Sequence, residues 1–281
     1  VLKKNGFMTK RNRRTAELCS NTKQMMMKKL LILPLIALGF AACKKDDDNT
    51  PAKAHLDVVL EATYDGQLME TFKKYPYDTY NLQFTRFHTY LSDIELIRAD
   101  GSAERLTDIA FVNFTPDNAP SALSVRQTLP FHGVPVGEYT GIRMGVGVKS
   151  SLNAKNPGNF PANHPLFLEN EYWLGWKSYI FTKVEGRGDR DMDGTDDFFV
   201  VHHYGSDPVY RTVTIQTPIQ VTTDGTPALA LSIDLRQLFT LANGAWYNLP
   251  ANQQTSHMMT DISIASVIVD HYQRAFSAKK P

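Results

Sequence analysis

From His55 onward, apolar and polar residues alternate in short runs, at residues 56–62, 80–91, 93–98, 110–114 and 127–131. A period of two predicts strands with one buried face. Turn residues separate them: Asp65-Gly66 and Asp100-Gly101 read as hairpin tips, and Pro116-Asp117-Asn118 breaks the next pair. Residues 139–148 read as a strand whose glycines, Gly141, Gly145 and Gly147, mark bulges or close backbone approach. Residues 150–163, rich in Asn, Pro and Gly, predict a long loop. Further strands are expected at 196–204, 209–216, 219–223 and 229–235. Helix is expected only at 235–241 and at 258–272, and the β-branched run inside the latter fits a last strand equally well. The pattern predicts an all-β, antiparallel β-sandwich of one domain, residues 55–275, with few short helices.

The beginning of the chain reads differently. Met27-Lys28-Lys29, an apolar run to Ala42 and then Cys43 have the parts of a secretion signal, and the run is too short to span a bilayer. The small residues before the cysteine resemble a lipoprotein signal. Residues 1–26 are expected to be upstream read-through, 27–42 the signal peptide, Cys43 the acylated residue, and 43–54 an acidic flexible tether. The expectation is an exported protein held to the outer membrane by lipid on Cys43, on the periplasmic or the cell-surface side. An ordinary signal peptide cut nearby, or an uncleaved anchor, is the alternative.

Setting the leader aside changes the charge. Of 30 basic and 29 acidic residues, nine Lys/Arg and one Glu lie in residues 1–42, leaving 21 basic against 28 acidic, or −7. An acidic domain without a basic cluster argues against nucleic acid as a partner. The two cysteines are Cys19 and Cys43, so the domain has neither disulfide nor thiolate and any metal must be held by other donors.

Candidate chemistry concentrates in the second half. In residues 164–186 the bulky Tyr172, Trp173, Trp176 and Tyr179 are interrupted by Glu169, Glu171, Gly175 and Lys177, which suits a binding face better than a buried strand. Residues 178–186 follow as one half-buried strand ending at Gly186. Asp189, Asp191, Asp193, Thr195 and Asp197, with Gly194 at the sixth position, match the first nine positions of an oxygen-ligand calcium loop, although Val200 stands where the bidentate Glu belongs. Adjacent His202 and His203 face opposite sides of a strand, so one of them at most serves a given site. His88, His132 and His164 are further candidates. No nucleophile elbow, phosphate loop or Cys–His pair occurs, and nothing requires turnover, so a non-enzyme is expected.

Taken together, several segments resemble the methanobactin-associated copper-binding protein family (MbnP-like domain). These are Phe87-His-Thr-Tyr-Leu-Ser-Asp-Ile-Glu-Leu, Val134-Pro-Val-Gly-Glu-Tyr-Thr-Gly-Ile-Arg-Met-Gly-Val-Gly-Val, Asn163-His-Pro-Leu, Tyr172-Trp-Leu-Gly-Trp-Lys-Ser-Tyr-Ile-Phe-Thr-Lys-Val-Glu-Gly and His202-His203-Tyr204-Gly205. The resemblance spans most of residues 55–240. It implies an exported β-sandwich that binds copper through histidines, in some members with a tryptophan oxidised to kynurenine by a partner di-haem oxidase of the MauG type. Carried onto this sequence, it points to Trp176, with Trp173 second, and to His203 or His202 and His164 as imidazole ligands, His88 being an additional candidate. The alternative is a calcium-braced extracellular module that binds protein or glycan through the same aromatics.

Overall fold

The computed structural model describes residues 51–115, 125–225, 227–256 and 262–279. The expectations for the leader, Cys43, most of the tether and the turn at 116–118 lie outside the described residues. The first half of the domain supplies β1 (Lys53–Tyr64), β2 (Gln67–Leu68), β3 (Lys74–Tyr77), β4 (Tyr80–Ile97), β5 (Ala103–Asn113), β6 (Arg126–Pro135) and β7 (Gly137–Val146). The second half supplies β8 (Tyr172–Trp173), β9 (Ser178–Asp189), β10 (Phe198–Gly205), β11 (Arg211–Val221), β12 (Ala228–Asp234), β13 (Gln254–Ser256) and β14 (Phe276–Ala278). Helices are short: α1 (Ser150–Asn153), α2 (Leu235–Leu238), α3 (Ser263–Val269) and α4 (Tyr272–Ala275).

The strands form two sheets, as expected of an all-β sandwich. The smaller runs β14-β12-β1-β2, with β6 also on β1; the larger runs β11-β7-β4-β9-β10-β13, with β3 and β5 on β4 and β8 on β9. Pairing is antiparallel except between β1 and β12 and between β10 and β13. Alternation explains the faces: along β1, Leu56, Val58 and Leu60 are buried while His55, Asp57 and Val59 are not. Each such buried side chain contributes roughly 1.5–3 kcal/mol. Between the sheets, the Tyr64 ring of β1 meets Phe84 of β4 at 5.9 Å, and α4 donates Tyr272 Oη to Thr182 Oγ1 of β9 at 2.8 Å.

Several boundaries differ from those read in the sequence. The runs at 80–91 and 93–98 are one strand, β4, which turns through Asp93 at a φ of 46° while Lys149 and Arg105 hold the Asp93 carboxylate. The pair 209–216 and 219–223 is likewise one strand, β11, with an irregularity between Gln216 and Ile219. The strand expected to end at Gly186 runs to Asp189, and most of it is buried on both faces because further chain covers its outer side. The β-branched run near 262–270 is helical in α3, where Ile268 and Val269 enter the core; the last strand comes later, as β14. Among the described residues, no helix is long and apolar enough to cross a membrane.

Candidate metal centre

The register across three adjacent strands builds the site. His88 of β4 and His203 of β10 are both cross-strand partners of Lys183 on the intervening β9. Directly paired residues share a face, so His88, Lys183 and His203 emerge together, joined by the pair Arg86 and Glu185. The opposite face carries Thr182, Val184, His202 and Tyr204 into the core.

Carboxylates orient both outward histidines. His88 Nε2 lies 2.8 Å from Glu171 Oε2, which also receives Lys183 Nζ at 2.9 Å. His203 Nε2 lies 2.8 Å from Glu185 Oε1, and Arg86 approaches the other oxygen at 3.2 Å. Burial pushes the Glu171 carboxyl upward, but His88 and Lys183 outweigh it and hold it below the usual range. The hydrogen bond from His203 does the same for Glu185. Burial lowers the His88 pKa against the pull of Glu171, which favours the neutral imidazole. An ionised carboxylate only accepts, which places the imidazole proton on Nε2 and the lone pair on Nδ1 in neutral His88 and in the neutral form of His203. A cleft of about 490 Å³, lined by Arg86, His88, Phe111 and Glu171 among others, opens onto His88.

The tryptophan turn sits at the end of this face. β8 pairs with the start of β9, Tyr172 opposite Tyr179 and Trp173 opposite Ser178, and Lys177 closes the turn at a φ of 53°. Trp176 lies over Gly205, two residues beyond His203 on β10; a Cβ there would fall 2.9 Å from its Cζ3. The two indoles are 5.6 Å apart, Trp173 on the outside at 45% exposure. The structure thus places His88 and His203 on one face, either side of Lys183, and Trp176 over Gly205 at the end of β10.

The other candidates are employed elsewhere. His202 is fully buried, with Nδ1 2.8 Å from Tyr204 Oη and Nε2 2.9 Å from the Asn252 carbonyl, and burial pushes its pKa down to about 4. Both ring nitrogens serve the core, which removes His202 from the ligand set. His164 caps a single 3-10 turn, its Nδ1 accepting from Leu166 N at 3.1 Å while its ring stacks on Phe160 at 4.4 Å. His132 stands on β6 in the smaller sheet.

In the acidic loop, Asp189, Asp191 and Asp197 bring carboxylate oxygens within 4.8 Å of one another. Asp193 Oδ1 accepts from Thr195 N at 2.7 Å, a local turn bond. Lys74 reaches in from β3, its Nζ 2.6 Å from Asp189 Oδ2 and 2.7 Å from the Gly194 carbonyl. Asp189 Oδ1 is buried without a hydrogen-bond partner.

Sequence reasoning missed Glu171, Glu185, Lys183 and Arg86 as the partners of the histidines. Glu171 was visible only as a polar interruption in an aromatic stretch, and Lys183 only as a position in the strand expected at 178–186. As to copper, imidazole nitrogens without thiolate are donors of the right chemistry, but His88 and His203 stand on strands either side of β9, about 10 Å apart at the backbone by sheet spacing, so both rings would have to turn inward across Lys183 to share an ion.

Comparisons with known proteins place the chain. It matches the family model described as MbnP over residues 53–260. A solved structure, MbnP from Methylosinus trichosporium, is similar at 14% identity and a TM-score of 0.49, covering 67% of this chain and 78% of that one. No curated protein matches. With the family model spanning well over half of its length, the chain belongs to the MbnP family.

Proposed function

We propose that this chain is an exported copper-binding protein and not an enzyme, with His203 and His88 holding copper beside Trp176. The observation that supports this most is the shared register of the two histidines with Lys183, next to the strand end covered by Trp176. Copper suits these nitrogen donors, and an aniline-type nitrogen from an oxidised tryptophan would extend the set. Trp176 is the residue for oxidation to kynurenine by a di-haem oxidase of the MauG type, since Trp173 lies outside it. Acylation of Cys43 and anchoring to the outer membrane belong to the same reading.

Calcium at the loop of Asp189, Asp191 and Asp197 is its structural element. Five aspartates lie between residues 189 and 197, and Lys74, which takes Asp189 Oδ2, leaves Asp189 Oδ1 without a hydrogen-bond partner. A second reading, a protein- or glycan-binding module, has one observation in its favour: Phe167, Leu168, Trp173 and Leu174 are all exposed in a single segment, Leu174 at 81%.

Protein isolated from its native host tests the proposal, through metal content and the mass of the tryptic peptide 156–177, which contains His164, Trp173 and Trp176. Copper together with a kynurenine or formylkynurenine mass on Trp176 is the expected result. Two unmodified tryptophans and no copper, in copper-replete cells, would favour the calcium-braced module.

A further inference from the structure

Two imidazoles also meet on the smaller sheet, away from His88 and His203. His55 of β1 and His132 of β6 are register partners, with their Nδ1 atoms 2.9 Å apart and their ring centroids at 4.4 Å. A bulge produces this meeting. The β1–β6 register shifts between Ala54 and His55, and Gly133 is the extra residue on β6, at a φ of 73°. Phe131 and Val134 are buried on either side of it, so His132 and Gly133 both stay outside. Bulges commonly re-aim a side chain in this way.

A third residue fixes the chemistry. Asp57, two residues beyond His55 on the same face of β1, accepts from His55 Nε2 at 2.7 Å. A neutral imidazole carries one proton, and with that proton on Nε2 the His55 Nδ1 presents its lone pair toward His132 Nδ1, which donates the hydrogen bond between the rings. A carboxylate behind a histidine is the arrangement that orients and strengthens metal-ligating imidazoles. Around a tetrahedral ion with metal–nitrogen distances of about 2.0–2.1 Å, two nitrogens stand about 3.3 Å apart. To take an ion, His132 moves its proton from Nδ1 to Nε2 and the pair opens by about 0.4 Å. The side chains of His55 and Asp57 are 26% and 28% exposed and His132 is exposed, so an ion reaches them from solvent and water completes its coordination.

We propose that His55 and His132 form a binding site for a divalent late transition-metal ion, Zn(II) or Cu(II), with Asp57 as the orienting carboxylate. Imidazole donors favour these ions, in the order copper above zinc. The site stands independently of the one proposed at His88 and His203.

Zn(II) is the probe that tests it, titrated calorimetrically into the purified metal-free protein, with ¹⁵N resonances of the imidazoles followed in parallel. Wild type is expected to take up Zn(II) with shifts at the Nδ1 of His55 and His132. His55→Gln and His132→Gln each weaken binding at least tenfold, and Asp57→Asn weakens it about 10- to 100-fold. Melting midpoints without metal establish that each variant is folded. Absence of Zn(II) binding in wild type, or unchanged affinity in both histidine variants, would overturn the proposal.

Discussion

Lys74 Nζ lies 2.6 Å from Asp189 Oδ2, inside the loop whose spacing matches a calcium site. The ammonium comes from β3, over a hundred residues earlier in the chain, and also bonds the Gly194 carbonyl. Five aspartates face Lys74 and Arg187, the latter 3.7 Å from Asp196, so a divalent ion that displaces the ammonium relieves more repulsion than it creates.

The loop therefore responds to calcium. Added calcium raises the melting midpoint and a chelator lowers it, because a ligand bound to the folded state alone stabilises that state. Lys74→Gln enlarges the response by removing the competitor. Thermal melts of both proteins check this, and a midpoint indifferent to calcium in both would remove the ion from the account.

His202 and His203 are adjacent but respond differently to substitution. His202→Ala deletes a fully buried ring and two hydrogen bonds, and a loss of about 2–4 kcal/mol is expected in denaturant unfolding. His203→Gln, on the partly exposed face, costs less than about 1 kcal/mol but takes away copper. Equal destabilisation by the two changes would contradict the register.

Gly205→Ala tests the seat of Trp176. A Cβ there would fall 2.6 Å from the Tyr179 carbonyl oxygen and 2.9 Å from Trp176 Cζ3. Overpacking of this kind costs about 1–3 kcal/mol. The variant is expected to shift the tryptophan emission and to weaken copper binding, and emission identical to wild type would mean that the indole does not lie there.

Acid acts through Glu61, whose side chain is buried between Arg126, with Nε at 2.6 Å, and Lys279. Burial works to raise its pKa, and the two ion pairs outweigh burial, so the folded value lies below the ordinary 4.5. A carboxyl depressed on folding stabilises above its unfolded pKa and loses that contribution as pH falls through the folded one. Stability therefore drops below about pH 4.5. Glu61→Gln is less stable at neutral pH and loses less on acidification; an equally steep loss in the variant would assign the effect to other groups.

Local chemistry was legible in the sequence and long-range register was not. Asp65-Gly66 turns as expected because both residues take positive φ, 52° and 74°, which this pair tolerates. The opposite facing of His202 and His203 follows from a period of two. That His203 shares a face with His88 depends on pairing across β9 between segments over a hundred residues apart, which no local pattern encodes. The same holds for Lys74 in the acidic loop. The runs 80–91 and 93–98 divide at Ser92, where two polar residues meet, yet β4 passes through both, Asp93 at a φ of 46°. In α3, burial of Ile268 and Val269 overrides their β-branched preference.

The central claim is that copper sits with His203 and His88 beside Trp176, and competition titration of Cu(I) against a chromophoric chelator tests it most directly. Wild type is expected to bind copper with quenching of tryptophan emission, while His203→Gln and His88→Gln each lower the affinity at least tenfold and His132→Gln retains the quenching. Undiminished affinity and quenching in both His203→Gln and His88→Gln would contradict it.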